Sequence, residues 1–175
     1  MNDETRNAAD VAIKMEQDSI AFYGEAALKS SNTLGRLMFE SLVNDELRHL
    51  ECLRSLIRSV LADDSADSLF PPRGHSFKST VSTAFSKARS EIDARVPADA
   101  SDLKAISIAI DLEKEGYRFY ARAASNAASE QARSVYAALQ LEEQEHLTFL
   151  QNTYDYLENS GDWFLWEEQG LLDGG

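Results

Sequence analysis

Cysteine, proline and glycine are scarce in this sequence. Its 175 residues include one cysteine, Cys52, three prolines and eight glycines. A single cysteine excludes an intramolecular disulfide and a metal site made from paired cysteines. With 43% hydrophobic residues and so few helix breakers, the composition is typical of a helical globular protein. The length fits a single domain, residues 1–175, with a buried core.

Positive charge is scarce as well. Lysine and arginine total 17 against 30 aspartates and glutamates, which gives a net charge of −13. Phosphate binding requires a basic surface, so no nucleic-acid partner is expected. No stretch of the sequence is apolar and long enough to cross a bilayer, and the polar N-terminus does not resemble a signal peptide. We therefore expect a soluble, cytoplasmic protein that does not bind membranes.

The sequence does contain a long internal repeat. Glu143-Gln144-Glu145-His146 follows Glu46-Leu47-Arg48-His49 at an offset of 97 positions, and the same offset relates Glu113 to Glu16. Apolar neighbours of these residues repeat at the same offset, without a gap inside either copy. The repeat predicts two copies of one helical hairpin, neither of which can bury its apolar face alone.

The spacing of the apolar residues predicts an all-α four-helix bundle made of these two hairpins. The first hairpin spans about 4–61, with helices from about Asp10 to Lys29 and from about Leu34 to Leu61. The second spans about 103–158, with helices at about 103–126 and 130–158. Between the first two helices, the turn Ser30-Ser31-Asn32-Thr33 offers a good helix N-cap.

Two segments outside the hairpins are predicted to add helices of their own. The connection from about 62 to 102 is too long for a bare loop, and residues 77–96 have helical character, so we predict a helical crossover. His75, within it, is interpreted as a surface histidine. The tail, residues 159–175, carries Trp163 and Trp166 and is predicted to form a short C-terminal helix that docks on the bundle or on a second subunit.

Six residues are predicted to hold two metal ions. Glu16 lies in the middle of an apolar helical stripe, where a carboxylate is costly unless something pairs with it. Glu46 and His49 share one helix surface. Counting residues from the turn between the two helices puts both of them at about the same height in the bundle as Glu16. A Glu from each of two helices and a Glu-x-x-His from each of the other two is the arrangement that bundles use for paired iron or manganese ions. The six candidates are Glu16, Glu46, His49, Glu113, Glu143 and His146.

The chemistry of these side chains suits paired cations. Four carboxylates balance the charge of two divalent ions, and the ligand types fit iron, with manganese or zinc as alternatives. Without metal, four clustered carboxylates repel one another, so the metal-free site should take up protons and bound metal should raise the thermal stability. The alternative is a bundle in which the six residues are ordinary satisfied polar groups.

Two further pairs of residues leave alternatives open. Asp45 and Glu142 precede the histidines by four residues and could compete as ligands, although only Glu46 and Glu143 are glutamates in both copies. Tyr23 and Tyr120 lie two turns beyond Glu16 and Glu113. They are either core residues whose hydroxyls need partners or residues that hydrogen-bond a ligand or pass electrons.

Four stretches around the candidate ligands carry a resemblance to a known family. They lie at residues 12–23, 44–50, 109–120 and 141–147, and include Asn44-Asp45-Glu46-Leu47-Arg48-His49-Leu50 and Leu141-Glu142-Glu143-Gln144-Glu145-His146-Leu147. They resemble the rubrerythrin-like branch of the ferritin superfamily. The resemblance implies a ferritin-like fold, a non-haem di-iron centre formed by the six candidates, and reduction of hydrogen peroxide or oxygen in oxidative-stress defence.

The sequence departs from that family in two places. Full-length rubrerythrins carry a Cys-rich rubredoxin module, which this sequence does not contain, so the resemblance implies a separate electron donor such as a rubredoxin-like protein. They also have an additional ligand carboxylate one turn past the third-helix glutamate, where this sequence has Gly116. The ligand exchange of their peroxidase cycle is therefore not implied for this chain.

The leading expectation is a di-iron peroxidase or oxidase. Two alternatives come from other classes: a ferroxidase that binds iron for storage or delivery, and a metal-stabilised bundle without catalysis. Storage needs a closed shell of many subunits. The helical crossover and the aromatic tail are better suited to a small oligomer, and we expect a homodimer.

Overall fold

The computed structural model describes residues 3–62 and 100–158. All regular secondary structure in these two ranges is helical, in the order α1, α2, α3 and α4. The bounds are Asp3–Lys29 for α1, Thr33–Ala62 for α2, Ala100–Asn126 for α3 and Glu130–Glu158 for α4. The predicted all-α, ferritin-like four-helix bundle is confirmed. No helix in the described ranges has an apolar stretch long enough to span a bilayer.

The helix bounds agree with the sequence prediction except at two N-termini. α1 begins at Asp3 instead of Asp10, and α3 begins at Ala100 instead of Leu103. Apolar periodicity begins only where a helix meets the core, so it does not detect polar first turns that continue the helix through backbone hydrogen bonds. The predicted crossover helix, His75 and the C-terminal helix lie outside the described residues.

The helices pack as two hairpins side by side. α1 packs along α2 and α3 along α4, and the hairpins meet through contacts of α2 with α4 and of α1 with α3. Each hairpin turns within a short connection, 30–32 or 127–129, so its helices run antiparallel. This order places every helix against two neighbours and directs one face of each helix toward a common centre.

The connections are built from repeat-related caps. The side-chain oxygen of Asn32 accepts a hydrogen bond from the Gly35 amide at 3.0 Å, and that of Ser129 accepts one from the Ala132 amide at 3.1 Å. Both residues supply the acceptor that the first turn of a helix lacks. The cap predicted between the first two helices is therefore confirmed, and its residue is Asn32.

Two apolar clusters occupy the ends of the bundle. One includes Tyr23, Phe39 and Leu42, and the other includes Tyr120 and Leu139. On each helix, the candidate ligands lie between residues of one cluster and residues of the other. The polar residues therefore form a central layer that is separated from water by apolar packing on both sides.

Candidate metal centre

The six predicted ligands converge in this central layer. Each of them is at most 3% exposed. α1 and α3 contribute one glutamate each, and α2 and α4 contribute a glutamate and a histidine three residues apart, so that both lie on the inner helix face. The residues in the layer are Glu16, Glu46, His49, Glu113, Glu143 and His146.

The six residues form two sets that share members. One set combines Glu16 and His49 with Glu46 and Glu143, and the other combines Glu113 and His146 with the same two glutamates. Within each set, one ligand atom per residue lies within 4.8 Å of all the others. The shared glutamates lie between two positions, each of which has its own glutamate and histidine.

Both histidines direct Nδ1 toward the shared glutamates. Nδ1 of His49 lies 2.9 Å from Glu46 and 3.6 Å from Glu143. Nδ1 of His146 lies 3.2 Å from Glu46 and 3.6 Å from Glu143. The rings stack with centroids 5.4 Å apart. This orientation leaves each Nε2 on the outer side of the ring.

The donor set fits a pair of cations. Both carboxylate oxygens of Glu46 and Nδ1 of His49 are buried, and none of them has a well-oriented hydrogen-bond partner within the described part of the chain, although Nδ1 lies 2.9 Å from Glu46. Buried polar atoms without partners are costly, and a bound cation would satisfy them. Carboxylate oxygen and imidazole nitrogen are ligands that iron and manganese accept in proteins.

The surroundings of the buried side chains favour protonation of both unshared glutamates and of both histidines when no metal is bound. Burial, together with the charge of Glu46, raises the pKa of Glu16 well above its usual value. Burial and the charge of Glu143 do the same to the pKa of Glu113. Burial acts against a charged His49, but the Glu46 carboxylate and the hydrogen bonds around the ring outweigh it and raise the pKa of His49 well above its usual value.

The pKa values of the second histidine and of the shared glutamates are shifted as well. Burial also disfavours a charged His146, but Glu113 and nearby hydrogen bonds raise its pKa well above the usual value. At Glu46, the charge of His49 and the neighbouring Glu16 and His146 outweigh burial and hold the pKa well below its usual value. At Glu143, burial and the charge of Glu46 are outweighed by Glu113 and the two histidines, and the pKa is lowered as well. The directions agree with the expectation that the metal-free site takes up protons.

Two tyrosines connect the hairpins at the ligands. Tyr23 on α1 donates a hydrogen bond to Oε1 of Glu113 on α3, and Tyr120 on α3 donates one to Oε1 of Glu16 on α1. Both tyrosines are fully buried. The rings belong to the apolar clusters and the hydroxyls donate to candidate ligands, so the structure agrees with both interpretations that the sequence left open.

Asp45 and Glu142 do not join either converging set. Glu142 instead lies 3.0 Å from Nε2 of His49, on the outer side of the ring. Asp45 lies 3.6 Å from Nε2 of His146, and Arg48 donates hydrogen bonds to both acids. Sequence reasoning missed Arg48, although the repeat-related positions of Asp45 and Glu142 were a signal that they have a shared role.

Comparison with known proteins relates the second hairpin to one protein family. A sequence model of the Rubrerythrin family matches residues 71–154, a range that contains Glu113, Glu143 and His146. The chain is rubrerythrin-like. The first hairpin lies outside the matched range, and the internal repeat relates it to the second. Searches of curated proteins and of solved structures found no match.

In this rubrerythrin-like chain, Gly116 lies directly against Glu143, one of the two shared candidate ligands. A Cβ atom at Gly116 would be 3.3 Å from Cδ of Glu143 and 3.5 Å from its Oε2. Glycine therefore allows the carboxylate of Glu143 to approach the backbone of α3 closely. Rubrerythrins have an additional ligand carboxylate at this position. In this chain, the glycine leaves room there for the carboxylate of Glu143.

Proposed function

We propose that the protein is a non-haem di-iron oxidoreductase that reduces hydrogen peroxide or oxygen with electrons from an external donor. The observation that carries the proposal is the pair of buried ligand sets that share Glu46 and Glu143. The match to the Rubrerythrin family supports iron as the metal. Two iron ions, when bound, would supply the two electrons that reductive cleavage of a peroxide requires.

We assign the residues of the central layer to two metal positions. Glu16 and His49 would hold one ion, Glu113 and His146 the other, and Glu46 and Glu143 would contact both. Tyr23 and Tyr120 would fix the two unshared glutamates through their hydroxyl protons. The apolar clusters above and below the layer would exclude bulk water from the reaction.

The overall reaction balances with an external donor. Hydrogen peroxide takes up two electrons and two protons, its O–O bond breaks, and two water molecules form. Restoring the reduced site then requires two electrons from a partner, and we propose a separate rubredoxin-like protein for this role. We further propose that the chain acts as a homodimer in the cytoplasm.

The proposal is tested by rapid mixing. Protein loaded with two Fe(II) per chain without oxygen is mixed with hydrogen peroxide, and oxidation is followed by absorbance. We expect fast oxidation of two Fe(II) by each peroxide. The variant Glu113→Gln should slow this step by about 100-fold or more, because it removes an anionic ligand. Glu115→Gln, at an exposed position on the same helix, serves as the matched control.

Three results would contradict the proposal. The first is wild-type protein that binds no Fe(II). The second is peroxide oxidation no faster in the wild type than in Glu113→Gln. The third is oxidation by oxygen that continues over many Fe(II) equivalents per chain with growth of a mineral core, which would assign the protein to iron storage.

A further inference from the structure

A single arginine connects the outer sides of the two histidines. Arg48 on α2 donates a hydrogen bond from Nη1 to Oε1 of Glu142 on α4 at 3.1 Å, and from Nη2 to Oδ1 of Asp45 at 2.9 Å. Nη2 also donates to Oε2 of Glu142. The guanidinium therefore binds both oxygens of one carboxylate and one oxygen of another.

Each of these carboxylates faces a different histidine. Oε2 of Glu142 accepts a hydrogen bond from Nε2 of His49 at 3.0 Å. Oδ2 of Asp45 lies 3.6 Å from Nε2 of His146. The contacts are crossed, because each acid approaches the histidine of the other hairpin. Arg48 thus completes a continuous path between the two imidazoles.

The network is largely shielded from water. The exposed fractions of the side chains are 14% for Arg48, 7% for Glu142 and 19% for Asp45. Charge-assisted hydrogen bonds are strong when they are shielded in this way, and a guanidinium that binds a carboxylate through two N–H groups fixes its orientation. This burial distinguishes the network from an exposed surface ion pair, which contributes little to stability.

Only the first copy of the internal repeat has an arginine at this position. Asp45 and Glu142 are equivalent in the two copies, whereas the equivalent of Arg48 is Glu145, which is exposed. One guanidinium therefore serves two related acids. It also joins α2 to α4, the two helices that carry the Glu-x-x-His sequences.

We propose that Arg48 is a positioning residue for both metal positions. By holding Glu142 and Asp45 in place, it aims Nδ1 of His49 and of His146 at the shared glutamates. The inference rests on the proposed metal centre and names a residue that supports both of its halves. Metal-binding histidines commonly donate their second N–H to a carboxylate, and loss of that partner lowers metal affinity by about 10- to 100-fold.

The test measures Co(II) binding to the full chain. Co(II) reports coordination geometry through its visible absorption, and competition with a chelator gives the affinity. We expect Arg48→Gln to weaken binding by about 10- to 100-fold and to change the absorption spectrum. Arg48→Lys should fall in between, because it keeps the charge but cannot bind two carboxylates in the same fork. Arg54→Gln, which removes an exposed arginine from the same helix, should match the wild type.

A double variant separates positioning from simple loss of stability. If Arg48 acts through Glu142, the loss of affinity in Arg48→Gln/Glu142→Gln should be clearly smaller than the sum of the single losses. Additive losses would overturn the inference. It would also be overturned if Arg48→Gln lowered the unfolding midpoint of the metal-free protein but left Co(II) affinity and spectrum unchanged. Wild-type protein that binds no Co(II) would overturn the metal centre itself, and this inference with it.

Discussion

The hydroxyl of Tyr120 reaches across the bundle to a glutamate of the other hairpin. Tyr120→Phe removes the hydroxyl that donates a hydrogen bond to Oε1 of Glu16, so this buried oxygen loses that hydrogen bond. We expect the metal-free protein to lose about 1–3 kcal/mol of unfolding free energy. We also expect Co(II) affinity to fall by about 10-fold, because Glu16 is no longer held in place. Urea denaturation and a chelator competition measure the two effects.

Tyr136→Phe provides the control for this change. The ring of Tyr136 stacks on Tyr120 with centroids 6.2 Å apart, is equally well buried, and belongs to the same apolar cluster. Its substitution should leave Co(II) affinity unchanged. If both variants lowered Co(II) affinity equally, the loss of any buried hydroxyl from this cluster, rather than loss of the hydrogen bond to Glu16, would be responsible.

Gly116 is the second residue whose effect can be isolated. Gly116→Ala places a methyl group 3.3 Å from Cδ of Glu143, so the carboxylate must shift by a few tenths of an ångström. Alanine favours a helix over glycine by about 1 kcal/mol. We therefore expect Co(II) affinity to fall without a comparable loss of metal-free stability.

A helical glycine of the first hairpin tests that explanation. Gly24 on α1 has nothing within 4 Å of an added Cβ, and its equivalent in the repeat is Ala121. Gly24→Ala should raise the unfolding free energy by up to about 1 kcal/mol and leave metal binding intact. Equal metal affinities in the two variants would show that Glu143 tolerates the methyl group.

At the scale of the helices, the two hairpins offer a matched pair of caps. Asn32→Ala and Ser129→Ala each remove the acceptor for an amide in the first turn of a helix. Each should lower the unfolding free energy by about 1 kcal/mol, within a range of about 0.5–2. Asn44→Ala, in the exposed middle of α2, should cost less than either. Thermal denaturation of metal-free protein ranks the three, and a larger loss in Asn44→Ala would contradict the capping argument.

The helices themselves could be predicted from the sequence because their signals are local. Apolar periodicity placed α2 and α4 within one residue of their observed bounds, and the turn predicted at residues 30–33 agrees with the start of α2. The starts of α1 and α3 were wrong because polar first turns carry no periodic signal. The helix predicted at 77–96 stays a prediction, since it lies outside the described residues.

At the scale of the whole molecule, the meeting of the six candidates could be predicted because two equal copies place them at equal heights. The crossed contacts could not be predicted. Tyr23 reaches Glu113, and Arg48 reaches Glu142, only because α1 lies beside α3 and α2 beside α4. Counting along one hairpin gives height but not the neighbour across the bundle.

The same layer predicts how stability depends on pH. In the metal-free protein, folding raises the pKa of Glu16 and Glu113 above 4.5 and that of His49 and His146 above 6.5. Groups whose pKa is raised by folding stabilise the folded state below their unfolded pKa, and this contribution is lost as the pH rises through the folded pKa. Glu46 and Glu143 show the opposite shift, so their contributions are lost only in acid, below their usual pKa of 4.5.

Above pH 6.5, the metal-free protein should therefore become less stable as the pH rises. Each proton that the folded state holds and the unfolded state does not makes the unfolding free energy fall by about 1.4 kcal/mol per pH unit. Two divalent ions replace these protons, so the protein loaded with Mn(II) should lose less stability over the same range, and its Mn(II) affinity should rise with pH. Melting curves at pH 6.5 to 9, with and without Mn(II), should diverge as the pH increases. Parallel curves would show that the buried acids and imidazoles do not hold the protons that the cations displace.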